Sequence, residues 1–422
     1  MMKNSFLMTL VLLVAFGGAY AQEVSLEDLL QKAKTHSPQS ETLPLIQQAA
    51  DAQLKMLNGN YLPQAGINGQ ATWQSEVTSI NISLPGVSIL PPPKDQYKIT
   101  LDLNQSLYDG GMVAKQKELT KAQQLSEEKK VLTDLQQIDE QVSNLYFGIL
   151  LSIKQKANAK LMLSEINDKI EKAQAGLANG VAIRANVLNL QAKKLELEQQ
   201  IVDIANRKLS AVQALTLLTG QPIDVSGNFA EPSLMTLALE ENKRLELDFL
   251  DAQANTLKAS EDVIRAKTMP KLGLFATTGY GRPALNFLAR DFKPYFIGGA
   301  QLKIPLSQLY NNSSSQEIQQ LKINQLKIDK QKENFLLISD IRKSNQVNEI
   351  DRLKAQIESD KELIGIREQI RKVADAQLEN GIITASDYLT ELNKEDTAKQ
   401  ALALHEVQLI QAKQTLKLIL GQ

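Results

Sequence analysis

Apolar residues recur along this chain with two different periods, and each period predicts a different element. Over most of the chain the spacing is three and four residues, which is typical of amphipathic helices. In two shorter regions apolar and polar residues alternate one by one, which is the period of a strand with one polar and one apolar face. The pattern therefore predicts a mainly helical fold that also contains pairs of strands.

Two very long helices are predicted, over 112–178 and 313–379, and each would span about 100 Å at 1.5 Å per residue. Both contain apolar residues at the spacing of a coiled-coil seam. These are Leu135, Ile138, Val142, Leu145 and Ile149 in the first helix and Ile350, Leu353 and Ile357 in the second. Shorter helices are predicted over about 25–31 (with Ser25 as its N-cap), 38–60, 185–219, 247–268 and 386–420. Since a long helix cannot leave half of its seam uncovered, we expect two short helices, stacked end to end, to run beside each long one.

Strands are predicted over 65–73, 97–103, 272–280 and 295–306, as two hairpins within about 61–108 and 270–308. In the first strand Ile67 and Trp73 alternate with Asn68 and Gln70. Eleven of the 20 aromatic residues lie within 61–108 and 270–310. Aromatic residues around alternating strands favour the interfacial girdle of a membrane β-barrel. A soluble hairpin with a packed aromatic patch stays open as the other interpretation.

The long helices end in the same short motif, which occurs twice. Asn380-Gly381-Ile382 lies 201 positions after Asn179-Gly180-Val181. Asn-Gly after a helical stretch predicts a helix end, because Gly adopts the left-handed conformation without steric cost. The next helix then begins, with Ser386 or Asp387 in the second copy and Asn186 in the first as candidate N-caps. Each copy is thus predicted to be the tip of a helical hairpin.

Other segments repeat at nearly the same offset, so the duplication extends over the whole chain. The matched segments are Leu215–Gln221 with Leu416–Gln422, Leu107–Asp109 with Leu309–Asn311, and Leu62–Gly66 with Met269–Gly273. We therefore predict two structural repeats, over about 22–221 and 230–422.

Composition narrows the class of protein. Residues 1–21, with Lys3 before an apolar run and Ala19-Tyr20-Ala21 at its end, are predicted to be a secretory signal, because the run is short for a membrane anchor. The chain has no Cys, and its 47 basic and 48 acidic side chains give no field that would recruit nucleic acid. His36 and His405 lack the spacing of metal ligands. We predict no enzyme activity, no cofactor, no metal site and no nucleic-acid partner.

Four strands cannot close a barrel alone, and open strand edges are not tolerated in lipid. Three copies would supply twelve strands and twelve helical columns. The fold class predicted is mainly α with membrane β-strands, in which an internally duplicated protomer forms a trimeric 12-stranded β-barrel continued by a long α-helical coiled-coil barrel. The alternative is a secreted trimeric coiled-coil structural protein or adhesin without transport, which does not explain strands placed between helices in both repeats.

The chain resembles the TolC family of outer-membrane efflux proteins over its whole mature length. The resemblance depends on the two tips, on Leu107–Gly111, and on the helix ends Leu217–Gly220 and Leu418–Gly421. It implies a homotrimeric exit duct in the outer membrane of a Gram-negative bacterium, with its helical barrel in the periplasm. The implied system is tripartite efflux or type I secretion, with a periplasmic adaptor, an inner-membrane RND or ABC pump, and outer-membrane lipid around the strands. The methionines are scattered and suggest no metal relay; drug, metal and protein cargo all stay open.

The resemblance also implies roles for residues near the tips. The implied adaptor-docking residues are Asn179, Gly180, Val181, Asn380, Gly381 and Ile382. The implied periplasmic gate comprises Asp387, Thr390 and Glu391. In the family the gate has an Asp-x-x-Asp pattern, and here Thr390 occupies the second acidic position, so a single ring of Asp387 carboxylates is implied rather than two rings. The other interpretation of Asp387 is a helix N-cap, and the two roles are compatible.

Overall fold

The computed structural model describes residues 23–79, 91–232, 244–306, 310 and 312–421. The predicted signal at 1–21, together with Leu309, Asn311 and Gln422 of the matched segments, lies outside them. The helices are α1 Leu26–His36, α2 Thr42–Gly59, α3 Met112–Ala178, α4 Arg184–Thr219, α5 Leu245–Lys267, α6 Ser313–Glu379 and α7 Ala385–Ile419. The strands are β1 Gln64–Trp73, β2 Asp95–Tyr108, β3 Lys271–Arg282 and β4 Lys293–Lys303.

The two long helices, α3 and α6, contain 67 residues each and confirm the predicted bounds. α3 begins where it does because the Asp109 carboxylate accepts hydrogen bonds from the backbone N–H groups of Gly111 (2.9 Å) and Val113 (2.8 Å). The predicted seams are confirmed as well, because Val142, Ile149 and Leu353 are almost completely buried. No helix within the described ranges is both long and apolar enough to cross a membrane.

The N-terminal helices differ from the prediction. Ser25 caps α1 as expected, accepting a hydrogen bond from the N–H of Asp28 at 3.2 Å, but α1 continues to His36. α2 begins at Thr42 rather than near Pro38, because 37–41 form a turn in which the Ser40 hydroxyl donates to the carbonyl oxygen of Ser37 at 2.7 Å. Pro44 is the third residue of α2, where a missing N–H costs nothing.

The four strands form one antiparallel sheet in the order β1-β2-β3-β4. Both predicted hairpins are confirmed, and β2 also pairs with β3, from Tyr97 opposite Arg282 to Tyr108 opposite Leu272. That pairing, which the sequence did not predict, joins the two repeats. β4 ends at Lys303 rather than 306, because Pro305 has no N–H to donate to a ladder.

The two faces of the sheet differ in chemistry, as the alternation predicted. One face is apolar and exposed in the single chain, with Ile67 and Trp73 exposed by 74% and 73%. The other face is polar. There the Asp102 carboxylate accepts hydrogen bonds from Asn68 (2.7 Å), Thr100 (2.9 Å) and Thr277 (2.6 Å), so that one side chain ties three strands together.

More than one short helix packs beside each long helix, as the helix lengths predicted. α4 packs along one part of α3 and α5 along another, while α7 packs along α6. α5, which belongs to the second repeat, contacts both long helices: Thr256 donates a hydrogen bond to the carbonyl oxygen of Ala122 in α3, and Asp251 pairs with Lys332 in α6. α2 packs on α3. Along α6, several apolar residues stay exposed in the single chain: Ile323, Leu326, Leu337, Ile341, Ile366 and Val373.

The largest core lies midway along the helices, around Tyr146 of α3. Its ring is fully buried and packs edge-on against Phe147 and Phe229. Its hydroxyl lies 2.8 Å from the carbonyl oxygen of Val24 and 2.6 Å from that of Ala230. The chain before α1 and the chain after α4 run side by side here, joined at Val24 and Phe229. Tyr146 therefore holds two loop segments onto the long helix.

Replacing Tyr146 by Phe is expected to lower the free energy of unfolding by about 1–3 kcal/mol, because the partly buried carbonyl oxygen of Ala230 loses this donor, whereas that of Val24 keeps the N–H of Ala230. Urea unfolding of the detergent-extracted protein, followed by circular dichroism, measures this change. Tyr310→Phe is the matched control, because Tyr310 is 82% exposed and its hydroxyl should contribute less than about 0.5 kcal/mol. Equal stability of the two variants would show that the Tyr146 hydroxyl does not hold the loops.

Candidate functional site

The two tips have the same backbone turn, as predicted. α3 ends at Ala178 and α6 at Glu379, and the glycines that follow have positive φ, +74° at Gly180 and +70° at Gly381. After each glycine an N–H returns to the last helical turn, from Val181 to Gly176 (2.9 Å) and from Ile382 to Gln377 (2.8 Å). The turn satisfies carbonyl groups that a helix end leaves without partners.

A groove of about 750 Å³ lies between the two tips and is lined by both repeats. Four of the six predicted docking residues border it: Val181, Asn380, Gly381 and Ile382. The remaining two, Asn179 and Gly180, lie in the first turn outside its lining. Val181 and Ile382 are exposed by 81% and 69%, so each tip presents an aliphatic side chain to its surroundings.

The start of α7 corrects the predicted caps. The N-cap is Thr384, not Ser386 or Asp387. Thr384 and Asp387 form a capping box: the Thr384 hydroxyl oxygen accepts from the N–H of Asp387 (3.3 Å), and the Asp387 carboxylate accepts from the N–H (3.0 Å) and hydroxyl (2.7 Å) of Thr384. These hydrogen bonds lower the pKa of Asp387, and the bond with the Thr384 side chain has the largest effect. Asp387 is thus a capping residue, although it is not the N-cap itself.

Asn186 also differs from its predicted role. The residue before α4 is Ile183, which provides no side-chain cap. The Asn186 side-chain oxygen instead accepts a hydrogen bond from the N–H of Ala385 at 3.0 Å. Ala385 is the first residue of α7, so a residue of the first repeat caps a helix of the second.

The three predicted gate residues lie on one face of α7, because positions i, i+3 and i+4 of a helix are neighbours. Asp387, Thr390 and Glu391 line a surface cavity of about 580 Å³ together with residues of α6. The Glu391 carboxylate is half-buried and pairs with Lys394 (2.7 Å) and Arg367 (3.6 Å). Asp387 is exposed and, among the described residues, hydrogen-bonds only to Thr384. Of the two carboxylates, that of Asp387 is therefore the one without an ion-pair partner in the described part of the chain.

Sequence reasoning missed a buried polar network just behind these residues. Tyr388 is fully buried and donates a hydrogen bond to Glu165 of α3 at 2.8 Å. Glu165 also pairs with Arg371 of α6, which in turn pairs with Glu395 of α7 at 2.6 Å. The pKa of Tyr388 is raised, mainly by burial and to a smaller extent by the hydrogen bond with Glu165. Its hydroxyl therefore stays protonated. The network connects both repeats.

A second set of ion pairs lies nearer the tips. Lys169 of α3 is buried; it pairs with Asp375 and, at 3.2 Å, with Glu379, and its ammonium lies 5.8 Å from the centre of the Tyr388 ring. Lys172 pairs with Glu379 at 2.8 Å. Hydrogen bonds from Lys172 and Lys169 lower the pKa of Glu379. In the sequence, the one signal for this region is the helical spacing of Tyr388 and Leu392, which lie four residues apart. Ion pairs across some 200 residues have no local signal.

Comparison with solved structures identifies this arrangement as a known fold. VceC from Vibrio cholerae is 18% identical, with 94% of this chain and 96% of that chain covered and a TM-score of 0.69. CusC is 16% identical, with 94% and 91% covered and a TM-score of 0.72. The open-state MtrE channel of Neisseria gonorrhoeae is 14% identical, with 94% and 88% covered and a TM-score of 0.64. These likenesses establish a shared outer-membrane channel fold with duplicated repeats and long helices.

Sequence comparison establishes the family. No curated protein sequence matches the chain. The family model described as outer membrane efflux protein matches residues 29–221 and 235–422, which is nearly all of the predicted mature chain and both repeats. No group of three or more His, Asp or Glu side chains suited to a metal ion occurs in the described part of the protein. By its sequence, its duplicated fold and its paired helix tips, the chain belongs to the outer membrane efflux protein family.

Proposed function

We propose that the chain is the protomer of a homotrimeric exit duct in the outer membrane. The observation that supports this most strongly is the sheet: it has an exposed apolar face, and β1 and β4 each have one edge that no other described strand pairs with. Three copies of four strands give twelve, which close into a barrel with the apolar face toward lipid and no free edge. The exposed apolar residues of α6 then pack against neighbouring protomers.

The helices continue this barrel into the periplasm. In this proposal 1–21 are removed as a signal, and the repeats over about 22–221 and 230–422 each supply one long helix to the wall. Each 67-residue helix spans about 100 Å. That length brings the tips far from the membrane, toward a periplasmic adaptor and an inner-membrane pump of the RND or ABC class. The groove between the tips, with exposed Val181 and Ile382, is the proposed docking surface.

The alternative, a secreted coiled-coil stalk or adhesin, is not favoured. It accounts for the helices but not for a continuous sheet whose two faces differ so strongly in polarity. A water-exposed stalk would have no reason to expose Ile67, Ile99 and Leu101 on one face of paired strands. The same face is explained at once if lipid covers it.

The trimer is the first expectation. Native mass spectrometry of the detergent-extracted protein should give three copies, and insertion into planar bilayers should give discrete single-channel conductance. A stable monomer or dimer would contradict the twelve-stranded barrel. A trimer without conductance would favour the stalk.

The second expectation concerns the tips. Gly180→Val and Gly381→Val should each strain the turn by about 1 kcal/mol or more, because a branched side chain disfavours positive φ. Crosslinking of the tips to the cognate adaptor should fall, while trimers are still recovered from the outer membrane. Gly365→Ala is the control, because it lies within α6 and nothing lies within 4 Å of an added Cβ. Normal crosslinking and efflux in both Val variants would exclude the tips as the docking surface.

The third expectation concerns Asp387 as a gate residue. Three exposed carboxylates around the pore axis would attract cations, and this preference should weaken as salt screens the ring. Asp387→Asn keeps an oxygen that can accept the hydrogen bonds of Thr384, so α7 should still form while the cation preference falls. Single-channel selectivity at low salt, wild type against variant, measures the difference. Identical selectivity would leave Asp387 as a capping residue only.

The pH dependence follows from the same contacts. The capping hydrogen bonds lower the pKa of Asp387 from its ordinary 3.8, whereas repulsion within the ring opposes that shift. The carboxylates are therefore charged at neutral pH, and the cation preference should be lost as the pH falls through the pKa of Asp387 in acid.

A further inference from the structure

Four lysines lie on the polar face of the sheet, in two rows. In the row near the ends of the hairpin loops, Lys98 and Lys293 flank Gly281 across three adjacent strands. In the row near the helices, Lys271 lies opposite Lys303. None of these four lysines forms an ion pair with any residue of the described ranges. Within these ranges no ion pair therefore neutralises their charges, although Asp102 interacts electrostatically with Lys98.

The register shows that all four side chains share one face. Successive residues of a strand point to opposite faces, so Lys98 shares its face with Thr100 and Asp102, whereas Ile99 and Leu101 lie on the other. Through the pairing of β3 with β2 and β4, Lys271, Lys293 and Lys303 belong to the same face as Asp102. In a barrel whose apolar face contacts lipid, this face lines the pore.

Only one carboxylate of the described strands shares this face, that of Asp102. It already accepts hydrogen bonds from Asn68, Thr100 and Thr277. The polar face therefore carries four positive charges against one negative charge in each protomer. The other acid of the described strands, Asp95, lies on the apolar face and pairs there with Arg282, and Glu76 and Asp291 lie in the hairpin loops outside the strands.

Two aromatic side chains on this face lie over glycines of the neighbouring strands. The Phe275 ring lies over Gly299, about 3.0 Å from where a Cβ would be, and the Tyr295 ring lies over Gly279. Glycine at both positions lets the rings lie against the strands instead of projecting. Lys98, Lys293 and Lys303 are exposed, and their long and flexible stems allow the ammonium groups to reach away from this face.

We propose that these lysines make the barrel selective for anionic solutes, in two rings of six, one at each end of the membrane-crossing region. Ten residues of β3 separate the rows, about 33 Å along the strand, so the rings act independently at physiological salt. The inference rests on the proposed trimeric duct and deepens it, because it names the class of cargo that the barrel favours: solutes carrying carboxylate, phosphate or sulfate groups. The barrel and the acidic Asp387 ring would thus prefer opposite charges.

The experiment measures reversal potentials in planar bilayers under a KCl gradient. All variants are made in the Asp387→Asn background, so that the tip does not contribute its own cation preference. The tested change is the outer pair, Lys98→Gln with Lys293→Gln, and the comparison that retains charge is Lys98→Arg with Lys293→Arg. The inner pair, Lys271→Gln with Lys303→Gln, is tested in the same way. Native mass spectrometry first confirms that each variant is a trimer.

With either Gln pair, the chloride-to-potassium permeability ratio is expected to fall about twofold or more at 0.1 M salt, and the Arg pair should keep it. The difference should shrink at 1 M, where the Debye length falls from about 10 Å to about 3 Å. If the Gln and Arg variants conduct and have the same reversal potential, the lysine proposal is wrong while the proposed duct stands. Absence of conductance in every variant would overturn the duct, and this inference with it.

Discussion

The pairing of β2 with β3 is the contact on which the rest of the protein depends. It converts two separate hairpins, each marginal alone, into one sheet with a continuous apolar face. It also brings the start of α3 beside the end of α5, because α3 follows β2 directly and β3 follows α5. At Gly110 an added Cβ would come within 2.7 Å of Met269 of the second repeat. The joined strands thus place α5 of the second repeat against α3 of the first, while it also contacts α6.

The two repeats are joined by different kinds of interaction at their two ends. At the sheet, a ladder of backbone hydrogen bonds fixes them. At the tips, side chains such as Glu165, Arg371 and Lys169 do so through ion pairs. A backbone ladder breaks only if many bonds break together, whereas a partly buried ion-pair network separates when a few charges find other partners. The two ends of the fold are thus held together by different chemistry, backbone hydrogen bonds at the sheet and ion pairs at the tips.

The sequence predicted the parts of the fold that local chemistry determines. Asn-Gly and Asp-Gly-Gly mark the ends of 67-residue helices, and strict alternation marks β1 and β2. It missed what depends on distant residues: the β2–β3 pairing, and the network in which Glu165 meets Tyr388. It also misplaced the cap of α7, because Thr384, Ser386 and Asp387 all have side chains suited to capping and only the backbone path decides among them. The proposed gate residues share one face because helical spacing alone requires it.

Asn186 and Asp387 occupy the same position of the two repeats, 201 residues apart, yet both now bind the start of α7. Asp387 completes the capping box of its own helix, and Asn186 reaches across to the same helix, while α4 has no side-chain cap. After duplication, the two copies of one residue have specialised for a single task. Halves that depend on each other in this way are not interchangeable at the tip, because only one of the two returning helices receives both contacts.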